Sequence, residues 1–255
     1  MRSDELRLRA LPGLPEIGPG ADLCTLILDG LAACSETLQS GDVLVLAQKI
    51  VSKAEGRLID LRDVAPSAQA HALAAKAGKD PRLVELILRE SHEVLRCRPG
   101  VIIVEHRLGF VMANAGIDQS NVEQHGDGMA LLLPLDPDAS CAALRQQLSA
   151  RAAATPAVVI IDSHGRAWRQ GTVGVAIGVS GLPALQDLRG QPDRHGRPLE
   201  VTEVGLADEL AAAASLLMGQ AREGRPVVLA RGVPGVPGTG CARDLVRPRA
   251  LDLFR

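Results

Sequence analysis

Five short runs of branched aliphatic residues most constrain what this chain can fold into: VLVLA (Val43 to Ala47), VIIVE (Val101 to Glu105), VVIID (Val158 to Asp162), VGVAIGV (Val173 to Val179) and VVLA (Val227 to Ala230). Each is too short for an independent helix and has the composition of a buried strand. Helical patterns lie between them. In DPRLVELILRES, Asp80 can cap, Pro81 suits the first turn, and Leu83, Val84, Ile87 and Leu88 share one face. LADELAAAASLLMGQ (Leu206 to Gln220) predicts a second helix, and the stretch from Pro137 to Ala150, entered through another Asp-Pro step, a third. Strands interleaved with helices predict an α+β fold with α/β character.

At 255 residues and 46% hydrophobic, the chain can bury one large core or two modest ones. With two Phe, one Trp and no Tyr, that core must be aliphatic. The whole chain, 1–255, reads as one domain, with LRGQPDRHGRP (Leu188 to Pro198) as the expected divide between two lobes and GVPGVPGTG (Gly232 to Gly240) as a surface segment. A net charge of -2 leaves no broad basic field to draw nucleic acid or anionic lipid, and the scarcity of aromatic rings removes the stacking platforms that unpaired bases need. Five scattered cysteines without Cys-x-x-Cys spacing read as reduced thiols. The charged start MRSDELRLRA lacks a secretory signal's apolar stretch, and no run approaches the length of a membrane span. The expected location is the cytoplasm.

Neither G-x-x-x-x-G-K-[ST] nor a strand-linked G-x-G-x-x-G occurs, so a phosphate site would have to be built without a P-loop or a Rossmann turn. Three polar clusters adjoin the predicted strands. IVSKAEGR (Ile50 to Arg57) offers Lys53 and Arg57 on a turn containing Gly56; it is either a solvated charged turn or a pair of cations for phosphate oxygens. ANAGIDQSN (Ala113 to Asn121) sets Asp118 between Asn114 and Asn121 beside Gly116, as an Asx turn, a helix cap or one side of a pocket. IIDSHGR puts Asp162 at the end of a strand, followed by Ser163 and His164. Two carboxylates converging on one site repel unless a proton or a cation lies between them, and Mg²⁺ or Mn²⁺ with oxygen ligands is the usual solution.

Taken in order, GLPEIGPGADL, GDVLVLAQKIVSKAEGR, HRLGFVMANAGIDQSNV, IIDSHGRAWRQGTVGVAIGVSGL, VTEVGLADELAAAASLLMGQ and ARDLVRPRALDLF resemble the coenzyme F420:L-glutamate ligase family over nearly the whole chain. The resemblance implies a two-lobed subunit with mixed sheets in an intertwined homodimer. It also implies a GTP-dependent ligase that activates the acceptor's carboxylate as an acyl phosphate and adds L-glutamate through γ-linked amides to a deazaflavin coenzyme precursor. Two divalent ions, Mg²⁺ or Mn²⁺, with K⁺ as a further candidate, would assist. Residue by residue, Leu14, Pro15, Glu16 and Ile17 match a nucleotide-contacting stretch, Lys53 a phosphate-binding lysine and Asn121 a nucleotide contact. Asp118 and Asp162 match ligands of the first metal, and Ser163 and Gln220 those of the second. Gln48 and Lys49 fall in the nucleotide-binding stretch where other members often carry small hydroxyl residues. Val173 and Gly174 replace an expected polar pair, which raises a γ-glutamyl ligase for another carboxylate as the alternative, alongside a non-catalytic GTP-binding sensor. The resemblance is to the stand-alone form of the family, without the flavin-binding domain appended in some relatives, so a redox step on the coenzyme is expected to need another protein.

Overall fold

The structure, a computed structural model, describes residues 5–119, 128–234 and 238–253. Its centre is a five-stranded sheet in the order β1 (Arg7–Ala10), β12 (Val227–Arg231), β2 (Val43–Ala47), β8 (Ala157–Arg166) and β9 (Arg169–Ser180). Only β2 and β8 run parallel, with Val43 opposite Ala157 and Ala47 opposite Ile161. Period-two alternation sends the two halves of VLVLA to opposite faces. Leu44 and Leu46 join Val158, Ile160, Val227 and Leu229 under α1 (Leu23–Ala33) and α5 (Pro137–Ala152). Val43 and Val45 join Val159, Ile161, Val228 and Ala230 under α6 (Leu206–Met218). Helices on both faces explain why these strands read as unbroken apolar runs.

Two glycines set how closely the helices approach β9. A Cβ on Gly174 would lie 2.5 Å from the Ala211 carbonyl oxygen of α6, and one on Gly178 would lie 2.5 Å from that of Pro137 at the start of α5. The missing polar side chain at Gly174 is therefore a packing requirement.

Between β2 and β8 the chain makes a long excursion through α2 (Gln48–Ala54), β3 (Leu58–Asp60), α3 (Ala68–Ala77), α4 (Pro81–Arg89), β4 (Ser91–Arg98), β5 (Val101–His106), β6 (Val111–Ala113) and β7 (Met129–Leu131). β4, β5 and β6 form an antiparallel sheet, and β3 pairs with β7. The excursion has its own core, whose fully buried members all fall between Leu61 and Leu132. The Asp80 side chain accepts from the Arg82 N–H, as the cap reading of α4 predicts, and the helix ends before Ser91, which opens β4. The stretch from Leu188 to Pro198 lies between the short strands β10 (Gln186–Asp187) and β11 (Glu203–Val204) and is cross-linked by a Pro192–Pro198 bridge.

One expectation is corrected here. The segment after VLVLA is a helix up to Ala54, and Arg57 turns away from any phosphate role. Its Nε donates to the Leu133 carbonyl at 2.9 Å and its terminal nitrogen to Glu90 at 3.0 Å, tying the start of the excursion to its end. Glu90 is buried and also lies 3.3 Å from Arg107. His106 Nε2, buried and without a hydrogen-bond partner among the described residues, is 3.7 Å from the same carboxylate.

Candidate active-site cleft

Where β2 stops and α2 departs, β8 runs on, so Asp162 is the first residue past the parallel pairing that ends at Ala47–Ile161. It does not end its own strand, as the sequence suggested: β8 continues to Arg166 against β9. A cleft of about 1160 Å³ opens there, walled by α2, β6 and its following turn, the β8–β9 hairpin, and the segment after α6. Of the residues expected at a site, Glu16, Gln48, Lys49, Lys53, Asp118, Asp162, Ser163 and Gln220 all line it.

The turn after β6 delivers Asp118. Ala115 takes a left-handed φ of 54°, and Gly116 follows at 66°, where a Cβ would stand 2.7 Å from the Met112 methyl. A side chain there would have to displace the core on which the turn rests. Asn114 is used for structure, its Oδ1 accepting from the Ile102 N–H at 3.1 Å, and so does not face the cleft beside Asp118 as the sequence suggested. Asp118 exchanges both backbone hydrogen bonds with Leu131 and sends its carboxylate to Lys49 Nζ at 2.5 Å. Asn121 lies outside the described residues.

Lys53, one turn beyond Lys49, forms an ion pair with Glu16 and is only 12% exposed. A cation that buried keeps a strong pull on an incoming anion, because water screens it poorly. Of the N-terminal stretch only Glu16 reaches the cleft; Ile17 is core, Leu14 packs against that core and Pro15 is exposed elsewhere. Gln48 is buried and accepts from Ser52 Oγ at 2.8 Å.

On the opposite wall Ser163 Oγ donates to Gln220 Oε1 at 2.8 Å, joining β8 to the turn after α6. His164 Nε2 lies 3.2 Å from Asp162 Oδ2 without the alignment of a hydrogen bond, and has no hydrogen-bond partner among the described residues. Val173 and Gly174, the departures from the expected pattern, do not line the cleft.

Carboxylate, hydroxyl and amide oxygens are what Mg²⁺ and Mn²⁺ take as ligands. Asp118, Asp162, Ser163 and Gln220 fit such ions by donor chemistry, although among the described residues no three His, Cys, Asp or Glu side chains gather as a preformed metal group. Sequence reading missed the Lys49–Asp118 pair and four arginines, Arg166, Arg169, Arg222 and Arg225, that also line the cleft. Their signal was present in GRAWRQG and AREGR, each a turn flanked by arginines. Among the described residues, no helix is long and apolar enough to cross a membrane.

The fold and the cleft define an α+β protein whose site combines cations suited to phosphate with hard oxygen donors. The family model described as F420-0:Gamma-glutamyl ligase matches residues 13–232. The chain is 48% identical to the Coenzyme F420:L-glutamate ligase of Methanothermobacter thermautotrophicus over 98% of this chain and 99% of that protein. It is 46% identical to the protein of the same name from Methanopyrus kandleri, over 98% of each chain. That of Archaeoglobus fulgidus is 42% identical over 98% of this chain and 97% of its own. The chain belongs to the F420-0:Gamma-glutamyl ligase family.

Proposed function

We propose that the protein is a GTP-dependent ligase that adds L-glutamate, through γ-linked amide bonds, to the deazaflavin precursor of coenzyme F420. The observation that carries this reading is the meeting of Lys49, Lys53, Asp118, Asp162, Ser163 and Gln220, from four separate chain segments, in one cleft of a chain so similar to proteins of that name.

The reaction begins with a repulsion. A triphosphate and a carboxylate must approach before the acceptor's oxygen can take the γ-phosphoryl group and release GDP. Lys53 is the group to offset that charge, by exchanging Glu16 for phosphate oxygens. Two divalent ions, held by Asp118, Asp162, Ser163 and Gln220, would supply further neutralisation of the transferring phosphoryl group. Lys49 steadies Asp118 from one side, and the Ser163–Gln220 hydrogen bond orients the opposite wall. The glutamate amine then attacks the acyl phosphate, an amide forms and phosphate leaves.

Incubating the protein with GTP, Mn²⁺, L-glutamate and the unglutamylated deazaflavin should give products heavier by whole glutamyl increments. Absence of any increment, with GTP consumed on another carboxylic acid, would overturn the reading. The motive for a different acceptor was the Val173–Gly174 change, and those residues lie beside the cleft wall without forming it. The same reading carries a homodimer, which sedimentation of the full chain tests.

A further inference from the structure

The cleft is basic on a chain that is acidic overall. Among the described residues lining it, six side chains are lysine or arginine and three are carboxylates, while the chain's net charge is -2. The imbalance is localised. Glu16 is matched by Lys53 and Asp118 by Lys49, and Asp162 stands beside His164. Among the described residues Arg166, Arg169, Arg222 and Arg225 form no ion pair, although many other arginines of the chain do. The carboxylate nearest the second pair in the chain, Glu223, accepts from the Ala221 N–H and feels Arg225 and Arg222 only through space. Among the described residues, the hydrogen bonds of Arg166 go to the carbonyls of Gln170 and Gly171, at 3.3 and 3.5 Å.

Two of them oppose each other. Arg166 stands directly across from Arg169 in the β8–β9 register, and like charges opposed on paired strands destabilise a hairpin. The second pair, Arg222 and Arg225, sits on the segment after α6, again at the cleft. Guanidinium groups are weakly hydrated and form two-pronged bonds to carboxylates, so two such pairs suit a ligand with several separated carboxylates.

The proposed reaction makes such a ligand. Each amide consumes one acceptor carboxylate and the amine of a glutamate that brings two, so every round leaves one more negative charge on the tail. We propose that Arg166, Arg169, Arg222 and Arg225 form a polycarboxylate subsite that holds the γ-linked glutamyl tail of the acceptor, separate from the phosphate-facing Lys53. The inference rests on the ligase reading above for the identity of its ligand.

Trp168, the chain's one tryptophan, is 86% exposed between Arg166 and Arg169 and serves as a built-in reporter. The full chain would be titrated with synthetic γ-linked glutamyl peptides of increasing length at low and high salt, following Trp168 emission and the heat of binding. Affinity should rise with the number of glutamates and fall with salt, and excess GDP with Mg²⁺ should not displace the peptides. The double variants Arg166→Gln/Arg169→Gln and Arg222→Gln/Arg225→Gln should each weaken the longest peptide at least about tenfold and shorten the tails made in the ligase assay. No binding, affinity independent of length, displacement by GDP or unaltered tail lengths in both variants would overturn the subsite. Wild-type protein that binds the peptides by length yet adds no glutamate would overturn the ligase reading alone. Glutamylation without length-dependent binding would overturn only the subsite.

Discussion

Lys49 Nζ and the Asp118 carboxylate meet at 2.5 Å, joining the helix that leaves the central sheet to the turn that closes the excursion's smaller sheet. The side chains are 33% and 24% exposed, so the pair is half shielded from water. A cation bound by Asp118 would have to share that carboxylate with the lysine.

Asp118→Asn and Asp162→Asn should each reduce glutamyl transfer by about 100-fold or more while leaving the thermal midpoint nearly unchanged, because each removes charge without removing volume. Mass increments and a melting curve on the same sample check both halves. Full activity in both variants would refute the metal assignment.

Chelation of divalent ions should abolish ligation, and Mg²⁺ or Mn²⁺ should restore it. Ser163→Ala, which removes the donor to Gln220 Oε1, should raise the metal concentration giving half-maximal rate by about tenfold. Activation curves for the two proteins that superimpose would detach Ser163 from metal binding.

Gly174→Ala should destabilise the fold by about 1 to 3 kcal/mol, since its Cβ would meet the rigid Ala211 carbonyl of α6. A urea midpoint reports this. An unchanged midpoint would mean that helix and strand separate without cost.

Acid should loosen the excursion. Burial pushes the Glu90 carboxyl up, but the His106 ring, Arg57 and Arg107 together hold it below its ordinary 4.5. At 3.7 Å the ring is beyond hydrogen-bond length, so Arg57 at 3.0 Å and Arg107 at 3.3 Å carry most of the lowering. A carboxyl whose folded value is lowered stabilises the fold above its unfolded value and loses that contribution as pH falls through the folded one. Unfolding midpoints should therefore decline below pH 4.5, and Glu90→Gln should flatten that part of the decline. An equal slope in the variant would show that Glu90 does not set it.

The strands VLVLA and VVLA were legible to within a residue because branched runs in a doubly covered sheet carry no competing helical period. Helix α3, AQAHALAAKA, was not, since small alanines bury a face without marking one, and Ser67 capping it looks like any loop serine. The acids of the cleft were legible as residues, Asp118 beside a glycine turn and Asp162 on an apolar strand, and the family resemblance added their expected role as metal ligands. Lys49 as the partner of Asp118 was invisible, because the contact exists only once the excursion folds back on α2. Arg57 misled for the same reason: its partners Leu133 and Glu90 are distant in the chain.

β12 lies between β1 and β2 and is hydrogen-bonded to both, so two strands from the beginning of the chain are joined only through one from near its end. During synthesis β1 and β2 have nothing to join them until Val227–Arg231 has been made. The excursion, with a core drawn from consecutive sequence, can condense meanwhile and shorten the distance between β2 and β8. Closure of the β1 side of the sheet thereby waits on Val227–Arg231.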